Sequence, residues 1–295
     1  MARCLVTGHK GYIGSALYEK LVELGHEVQG IDLFDGSNII KDFKEYSDGS
    51  ERFHPHFYDF KPEYVFHLAC IPRVAYSVEN PVETMENNVL ATTYILNFAR
   101  KVGAKRVIYS GSSSVVGNGN GPTSPYGLQK LISEMECSLY SQLYGLDTVS
   151  LRYFNVYSPC QEASGPYATA IANWMQYIRE GKTPFITGNG EQRRDMAHLE
   201  DVVAANLFAM NCEGSFKGQH FDIGTGSNIS LNEIKNIVAD YFPQVQFDYV
   251  EERAGDVLYT QANVMPLKEV GWCARINILA GISECFRQLK EELRG

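Results

Sequence analysis

Short apolar or β-branched runs alternate with longer helical patterns through the first half of the chain, and this alternation restricts the possible folds more than any other feature. The runs are residues 4–7, 27–32, 64–69, 106–110 and 148–153. Their lengths suit strands, and the helical patterns between them include residues 15–24 and 87–101, which stop at or just before a glycine. Strands that alternate with helices form βαβ units, so the sequence predicts an α/β protein built on a parallel sheet.

The regular alternation ends after Asn155, where prolines and glycines interrupt the chain at short intervals. We therefore expect a first domain of residues 1–155 and a smaller C-terminal substrate domain made from residues 156–197 and 245–295. A helical pattern at 199–210 and a β run at 219–223 predict that the segment of about 199–228 returns to the first domain. The predicted boundary is therefore interleaved.

The composition excludes several classes of protein. The 295 residues carry a net charge of -9 without a cluster of lysines or arginines, which argues against nucleic acid as a partner. No run of about 18 apolar residues or signal-type stretch is present, so we expect a cytoplasmic protein without membrane association. The seven cysteines are scattered without metal-ligand spacing, which predicts reduced thiols and no metal site.

Three glycines follow the first predicted strand and lead into the first predicted helix: Gly8, Gly11 and Gly14. Glycines at this place allow a tight turn and a close approach to a pyrophosphate, which the helix N-terminus attracts. Asp32 ends the second predicted strand, where a carboxylate accepts the adenosine ribose hydroxyls and repels the 2′-phosphate of NADP. The sequence therefore predicts a Rossmann-type, doubly wound sheet that binds NAD.

A tyrosine and a lysine four residues apart begin a later helical pattern. Tyr126 and Lys130 follow Pro125, and their spacing places both side chains on one helical face. A lysine ammonium, helped by the positive nicotinamide, lowers the pKa of a neighbouring phenol, so that the tyrosine can act as a base near neutral pH. Upstream, the hydroxyls of residues 110–114 lie at the carboxyl end of a predicted strand, where α/β sheets bind ligands. These positions together indicate a catalytic group.

With these features the chain resembles the extended short-chain dehydrogenase/reductase family, in its nucleotide-sugar epimerase branch. The resemblance covers nearly the whole chain. Besides the glycine turn, Asp32, Tyr126 and Lys130, the matching segments are residues 67–70, 86–89, 110–114, 151–155, 188–195 and 253–256. His67 could suggest a metal ligand or a catalytic base, but the resemblance makes it a strand-end residue beside the cofactor.

The resemblance implies a mechanism for the catalytic group. Tyr126 would remove the proton from the sugar O4 while C4 passes a hydride to the nicotinamide. Lys130 would bond the nicotinamide ribose and support the phenolate, and Ser112 would bond O4. In an epimerase the 4-keto sugar then turns over and takes the hydride back on its other face, so that NAD is regenerated.

The resemblance also assigns residues to each ligand. Those assigned to NAD are Gly8, Gly11, Tyr12, Ile13, Gly14, Asp32, Asp42, Leu68, Ala69, Cys70, Asn88, Ser110, Tyr126, Lys130 and Tyr153. Those assigned to a UDP-sugar are Arg73, Ser112, Asn155, Ala170, Phe185, Thr187, Arg194, Arg253, Asp256 and Thr260. Within the second set, Asn155 would meet the diphosphate, residues 185–187 would line the uracil with backbone groups, and the arginines at 194 and 253 would pair with the phosphates. Asp256 would hold a ribose hydroxyl.

Other activities of the family leave their own residues in the serine stretch. Dehydratases carry an Asp-Glu pair where this chain has Ser113 and Ser114, and decarboxylases of uronic-acid sugars place a glutamate there. Epimerisation at C4 is therefore favoured, with UDP-glucuronate epimerisation or decarboxylation and 4-keto-sugar reduction as alternatives. A reductase would normally use NADPH, against which Asp32 argues. A dinucleotide-sensing regulator on this fold would typically have lost the tyrosine or the lysine.

Two segments depart from the family pattern. The stretch between Asp32 and Tyr64 is short, so that Asp42 is chosen over Asp59 as the adenine-contacting residue of the third strand. The loop between residues 117 and 125 is also short, which predicts a more exposed sugar.

The family further implies how the chain selects its substrate and assembles. A tyrosine four positions after Asp256 would block an acetamido group at sugar C2, and Thr260 there leaves room for UDP-GlcNAc and UDP-GalNAc. Residues 87–101 and 126–144 resemble the helices that form a four-helix interface between two subunits, which predicts a homodimer.

Overall fold

The computed structural model describes residues 1–43, 55–117, 119–163, 169–252 and 258–294. The chain divides into two compact units. Unit 1 comprises Met1–Val116, Pro122–Arg152 and Val203–Phe221, and unit 2 comprises Gly117–Gly121, Tyr153–Val202 and Asp222–Gly295. Within the described ranges, no helix is long and apolar enough to cross a membrane.

Strands and helices alternate along the chain in the described ranges. The strands are β1 (Arg3–Thr7), β2 (Glu27–Ile31), β3 (Tyr64–His67), β4 (Arg106–Ser112), β5 (Thr148–Tyr153), β6 (Phe185–Thr187), β7 (Arg193–Arg194), β8 (Gln219–Ile223), β9 (Ile229–Ser230) and β10 (Asp248–Val250). The helices are α1 (Tyr12–Glu23), α2 (Ile39–Asp42), α3 (Pro55–Phe60), α4 (Val74–Glu79), α5 (Pro81–Met85), α6 (Ala91–Val102), α7 (Pro125–Tyr144), α8 (Ala170–Arg179), α9 (Leu199–Asn211), α10 (Leu231–Tyr241), α11 (Met265–Val270) and α12 (Ile278–Glu292). Short 3-10 turns cover Leu33–Asp35 and Ser113–Val115, and a π-helical turn covers Glu86–Leu90.

A six-stranded parallel sheet in the order β2-β1-β3-β4-β5-β8 forms the centre of the first half of the fold, with helices flanking it. Leu5, Val65 and Val107 lie in register on β1, β3 and β4 and are fully buried. The predicted Rossmann-type parallel sheet is therefore confirmed. Because its strands run in one direction, their carboxyl ends meet at one edge, where β1, β2 and β3 end at Thr7, Ile31 and His67.

The described residues between β2 and β3 form the 3-10 turn after β2, then α2 and α3. The expected third strand stays a prediction, because residues 44–54 of this stretch lie outside the described residues. β2 ends one residue earlier than predicted because Asp32 begins the turn, and its side chain accepts a hydrogen bond from the Phe34 amide. β4 runs two residues further than predicted, to Ser112.

Local signals explain where α6 and α7 begin and end. The Ser124 hydroxyl accepts from the Gly127 amide, Pro125 is the first helical residue, and α7 ends at Gly145 with a left-handed φ of 67°. α6 ends at Gly103 in the same way. The helix predicted for residues 87–101 begins with part of the π-helical turn and continues as α6. In that turn the Asn88 carbonyl accepts from the Thr92 and Ser133 hydroxyls.

Unit 2 has its own apolar core. Trp174 of α8, Val238 of α10 and Phe286 of α12 are buried in one cluster with Ile186 of β6. β6 pairs with β10 in parallel, whereas β7 pairs with β9 in antiparallel. In the described part of unit 2 the strands form two-stranded pairs, and helices supply most of the residues of its apolar core.

The junctions between the units differ by a few residues from the predicted boundaries. Val203–Phe221 belongs to unit 1, whereas residues of about 199–228 were expected there. The start of α9 stays in unit 2 because the Asp201 carboxylate accepts from the amides of Arg275 and Ile276. The end of β8 belongs to unit 2, where the Asp222 carboxylate accepts from the Asn263 amide.

Candidate active site

The glycine turn between β1 and α1 leaves no room for a side chain at two of its three glycines. Gly8 has a φ of +73°, and a Cβ there would lie 2.8 Å from the Ala69 nitrogen. A Cβ at Gly14 would lie 2.0 Å from the Gly8 carbonyl oxygen. Gly11 is the N-cap residue of α1 and makes no side-chain cap hydrogen bond, so the helix N-terminus is not capped by this residue. This arrangement fits the pyrophosphate of a dinucleotide.

Asp32 connects the glycine turn to the segment after β2. Its carboxylate is buried and accepts from the amides of Lys10, at 3.0 Å, and Phe34, at 3.1 Å. A carboxylate has about four acceptor positions, so two of them are left for ribose hydroxyls. Asp42 lies at the end of α2, where its carboxylate accepts from the Asn38 amide at 2.7 Å. The expected adenine contact of Asp42 therefore competes with a local hydrogen bond.

The segment after β3 is hydrogen-bonded to Thr7, the last residue of β1 before the glycine turn. The Leu68 and Ala69 amides donate to the Thr7 carbonyl and hydroxyl oxygens. Cys70 follows, half-buried, and Arg73 precedes α4 at its N-cap position. Ile71 is held at both its amide and its carbonyl by the side chain of Asn88.

Asn88 is buried, and both the oxygen and the nitrogen of its side-chain amide make hydrogen bonds within the protein. Its Oδ1 accepts from the Ile71 amide at 2.7 Å, and its Nδ2 donates to the Gln129 Oε1 at 2.8 Å. Gln129 in turn donates to Thr84. Asn88 therefore connects the segment after β3 to α7. Its predicted contact with NAD stays a prediction.

Ser112, Tyr126 and Lys130 come together in unit 1, as expected from the sequence. The Lys130 Nζ donates to the Ser110 carbonyl at 2.7 Å and lies 5.9 Å from the centre of the Tyr126 ring. The Tyr126 phenol shares a hydrogen bond with Ser112. Its helix starts beside the 3-10 turn of Ser113–Val115, where a Cβ at Gly127 would lie 2.7 Å from the Ser114 carbonyl oxygen. The serine turn and the first turn of α7 are therefore in direct contact.

Opposing effects act on the pKa of Tyr126. Burial raises the pKa of this phenol from 10.0 to about 12, while the Lys130 charge and the Ser112 hydrogen bond oppose that rise. The Lys130 charge lowers the pKa of the phenol, as predicted, but without a bound nicotinamide the desolvation of the phenolate outweighs this one ammonium. The positive charge of an oxidised nicotinamide acts in the same direction as Lys130.

His67 is a buried structural residue at the end of β3. Its Nδ1 is 2.7 Å from the Thr7 hydroxyl and its Nε2 is 3.0 Å from the Thr92 hydroxyl. Burial, with a smaller effect from Lys130, lowers the pKa of His67 from 6.5 to about 3. A neutral ring with both nitrogens occupied agrees with the interpretation of His67 as a strand-end residue.

In unit 2, three of the predicted nucleotide-binding residues lie beside Asp195. Arg194 is half-buried on β7, and the Asn155 side chain donates to the Asp195 carbonyl at 2.7 Å. Thr260 pairs with the same stretch, because its carbonyl accepts from the Asp195 amide at 3.0 Å. Asn155 has a φ of 35°, a left-handed conformation that asparagine tolerates better than most residues.

The remaining predicted residues of unit 2 are more dispersed. The carbonyls of Phe185 and Thr187 accept from the side chains of Trp174 and Gln192, which takes up part of the backbone expected to line the uracil. Tyr153 is buried at the end of β5, and Ala170 is the first residue of α8. Arg253 and Asp256 lie outside the described residues.

Three buried polar residues of the site were missed from the sequence. The Ser77 hydroxyl accepts from the Tyr126 amide at 3.0 Å, and Gln129 joins Asn88 to Thr84. Asp195 is fully buried, and its carboxylate accepts from the amides of Thr225, Gly226 and Ala262 and from the Thr225 hydroxyl. The signal for Asp195 was its position directly after two arginines, whereas nothing in the local sequence marks the other two.

Comparisons with known proteins agree with this geometry. Residues 4–224 match the model of the NAD dependent epimerase/dehydratase family. A UDP-glucose 4-epimerase of Mycolicibacterium smegmatis is 32% identical over 96% of this chain and 96% of that protein. The structure of a UDP-glucose 4-epimerase from Thermotoga maritima with UDP-glucose superposes with a TM-score of 0.84 at 28% identity, covering 99% of both chains. A UDP-N-acetylglucosamine 4-epimerase from Methanobrevibacter ruminantium, in complex with UDP-N-acetylmuramic acid, gives a TM-score of 0.84 at 26% identity, with 99% of both chains covered.

Proposed function

Because the chain belongs to the NAD-dependent epimerase/dehydratase family, we propose that it interconverts the C4 epimers of a UDP-hexose. NAD is its cofactor. The observation that supports the proposal best is the group of half-buried Ser112 with buried Tyr126 and Lys130 in unit 1, joined by the contacts described above. No carboxylate stands beside Ser112 in the serine turn, where Ser113 and Ser114 follow it. Redox at C4 without elimination or decarboxylation is the chemistry that such a group supports.

The residues of unit 1 would share the work at the sugar O4. Tyr126, as the phenolate, accepts the O4 proton, and it returns that proton at the end of the cycle. Lys130 stabilises the phenolate by its charge and is fixed by the Ser110 carbonyl. Ser112 donates a hydrogen bond to O4 as the carbonyl forms. Bound NAD supplies the hydride acceptor and donor.

The cofactor would be held by the glycine turn and by Asp32. The amides at the start of α1 face the pyrophosphate, and the Asp32 carboxylate accepts the adenosine ribose hydroxyls. A buried carboxylate opposes the 2′-phosphate of NADP, so we expect NAD to bind more tightly. Competitive titration of the two dinucleotides measures this, and equal affinities would contradict it.

The sugar nucleotide would be recognised by unit 2. Arg194 pairs with the diphosphate, Asn155 donates to it, and the stretch from Phe185 to Thr187 receives the uracil. Thr260 leaves space at sugar C2, so we propose that UDP-GlcNAc and UDP-GalNAc are substrates and that UDP-glucose and UDP-galactose react as well. The roles of Arg253 and Asp256 follow from the family alone.

We also propose a homodimer. Four large apolar residues spaced along α7 are strongly exposed in the single chain: Leu128 (46%), Met135 (63%), Leu139 (49%) and Leu143 (63%). Residues three, four or seven apart on a helix share one face, and an exposed apolar stripe of this kind is typical of a helical interface. Sedimentation of the wild type and of Met135→Glu would show a dimer and its weakening.

An assay of UDP-GlcNAc, UDP-GalNAc, UDP-glucose and UDP-galactose, with UDP-glucuronate as a fifth compound, tests the proposed activity. Each is assayed with and without added NAD. We expect conversion to the C4 epimer without accumulation of NADH. Stoichiometric NADH would instead indicate a net oxidoreductase, and release of CO2 from UDP-glucuronate would indicate a decarboxylase. Either result would contradict the proposal.

A further inference from the structure

We propose that Ser114 is a positioning residue that forces the Ser112 hydroxyl to act as a hydrogen-bond donor toward the reacting oxygen. The proposal rests on the proposed function in assigning that oxygen to a sugar hydroxyl. It concerns a residue outside the catalytic group inferred from the sequence. The observation is a pair of hydrogen bonds within the turn after β4.

Ser114 donates twice to the same atom. Its amide donates to the Ser112 Oγ at 3.2 Å, and its hydroxyl donates to the same Oγ at 2.9 Å. A serine hydroxyl has two acceptor lone pairs and one proton. Both acceptor positions of Ser112 are therefore occupied by Ser114, and only its proton is left for another partner.

The direction of that proton matters because two groups compete for the sugar O4 hydroxyl. If Ser112 had a free lone pair, O4–H could donate to it rather than to the Tyr126 phenolate. The O4 proton would then point at a hydroxyl oxygen, which is a poor base. With both lone pairs filled, O4–H is left with the phenolate as its acceptor, and Ser112 can donate to O4. The same donor stabilises the phenolate before the substrate arrives.

The turn that holds the two serines is fixed against the helix that carries Tyr126. The Ser114 carbonyl oxygen lies where a Cβ of Gly127 would be only 2.7 Å away, so the backbone of the turn contacts the first turn of α7. The Ser77 hydroxyl holds the Tyr126 amide from another side. Ser114 thus sits where one hydroxyl can set the orientation of Ser112 relative to the phenol.

Four variants separate the hydroxyl of Ser114 from the shape of its side chain. Ser114→Ala and Ser114→Val remove the hydroxyl, whereas Ser114→Thr keeps it with nearly the shape of valine. Ser113→Ala is the matched control, because the Ser113 hydroxyl has no hydrogen-bond partner among the described residues.

We expect Ser114→Ala and Ser114→Val to lower kcat by about three- to tenfold, the usual effect of one lost hydrogen bond. KM for the sugar nucleotide and the NAD content should not change. The acidic limb of the kcat profile, on which activity rises as Tyr126 loses its proton, should move to higher pH because the Ser112 donor is no longer fixed on the phenolate. Ser114→Thr and Ser113→Ala should retain the wild-type kcat and profile.

A spectroscopic titration makes the test independent of the sugar. The phenolate absorbance of Tyr126 is obtained in the NAD-bound enzyme as the difference from Tyr126→Phe, and its pKa should rise in Ser114→Ala but not in Ser114→Thr. An unchanged pKa together with an unchanged kcat in Ser114→Ala would overturn the proposal. A fall in Ser114→Thr as large as in Ser114→Val would also overturn it, since shape alone would then explain the loss. If the wild type converts no UDP-hexose, the proposed function fails, and the titration still decides the role of Ser114.

Discussion

The proposed catalytic residues of unit 1 and the proposed nucleotide-contacting residues of unit 2 are held in different ways. Tyr126 and Lys130 are buried on one 20-residue helix with a cap at each end. Arg194 and Thr260 are half-buried, on a two-residue strand and an adjoining extended segment, and hydrogen bonds to the Asp195 backbone hold this region together. The groups proposed to move a proton are fixed by helix packing, whereas the groups proposed to select the substrate lie on short segments that tolerate substitution. Changes in unit 1 should therefore affect kcat, and changes in unit 2 should affect KM and selectivity.

The largest effect is expected from Tyr126→Phe. The variant loses only the oxygen that accepts the proton, so kcat should fall by about 10²-fold or more while NAD stays bound. Steady-state turnover and the NAD content of the purified protein measure the two parts. A variant that retains more than about a tenth of the wild-type rate would remove Tyr126 from the role of general base.

The next largest effect is expected from Thr260→Tyr in unit 2. A tyrosine there fills the space beside sugar C2, so the activity on UDP-GlcNAc and UDP-GalNAc should fall by about tenfold or more, with UDP-glucose and UDP-galactose much less affected. Thr260→Ser, which keeps the hydroxyl that faces the Asp195 amide, is the control. A wild type that converts only the two sugars without the acetamido group would contradict the assignment.

Asp195→Asn should have a smaller effect, confined to binding. The buried carboxylate accepts four hydrogen bonds, and an amide in its place would point an N–H group at backbone donors. Because the backbone of Asp195 bonds both Asn155 and Thr260, KM for the sugar nucleotide should rise by about tenfold while kcat changes little. Asp240→Asn removes an exposed charge of the same unit and should leave both constants unchanged. A fall in kcat at unchanged KM would be the wrong outcome for this account.

The smallest effect concerns pH and stability in unit 1. The pKa of His67 is about 3 in the folded protein and 6.5 as the ordinary value, so the neutral ring stabilises the fold fully above pH 6.5. This contribution is lost as the pH falls toward and through 3. Thermal melting of His67→Gln should therefore depend less on pH in this window than melting of the wild type, although the variant is less stable at pH 7. The exposed His56→Gln is the control, and parallel curves for His67→Gln and wild type would refute the assignment.

Much of unit 1 could be predicted from the sequence because its signals are local. Strand-helix alternation, the glycine turn and the spacing of Tyr126 and Lys130 each depend on neighbouring residues. Long-range features were not accessible in this way. Ser77 bonds the Tyr126 amide across 49 positions, and Gln129 reaches Asn88 across 41.

Other features were outside the reach of local sequence signals as well. The pKa of Tyr126 depends on burial by distant elements, so the effect of Lys130 was foreseen and the dominant desolvation was not. The expected strand between Asp32 and Tyr64 was taken from the family pattern and stays a prediction, because residues 44–54 lie outside the described residues. In unit 2 the short strands leave little periodicity to read, and the roles of its arginines came from the resemblance alone.

The account depends above all on reversible hydride removal at C4 of the sugar, and an isotope label tests this directly. A UDP-hexose deuterated at C4 is incubated with the enzyme in ordinary water, and the product is examined by NMR. We predict that the C4 epimer forms with its deuterium retained at C4, because the same hydride leaves and returns. Loss of the deuterium to solvent, or a product that keeps its C4 configuration, would contradict the account.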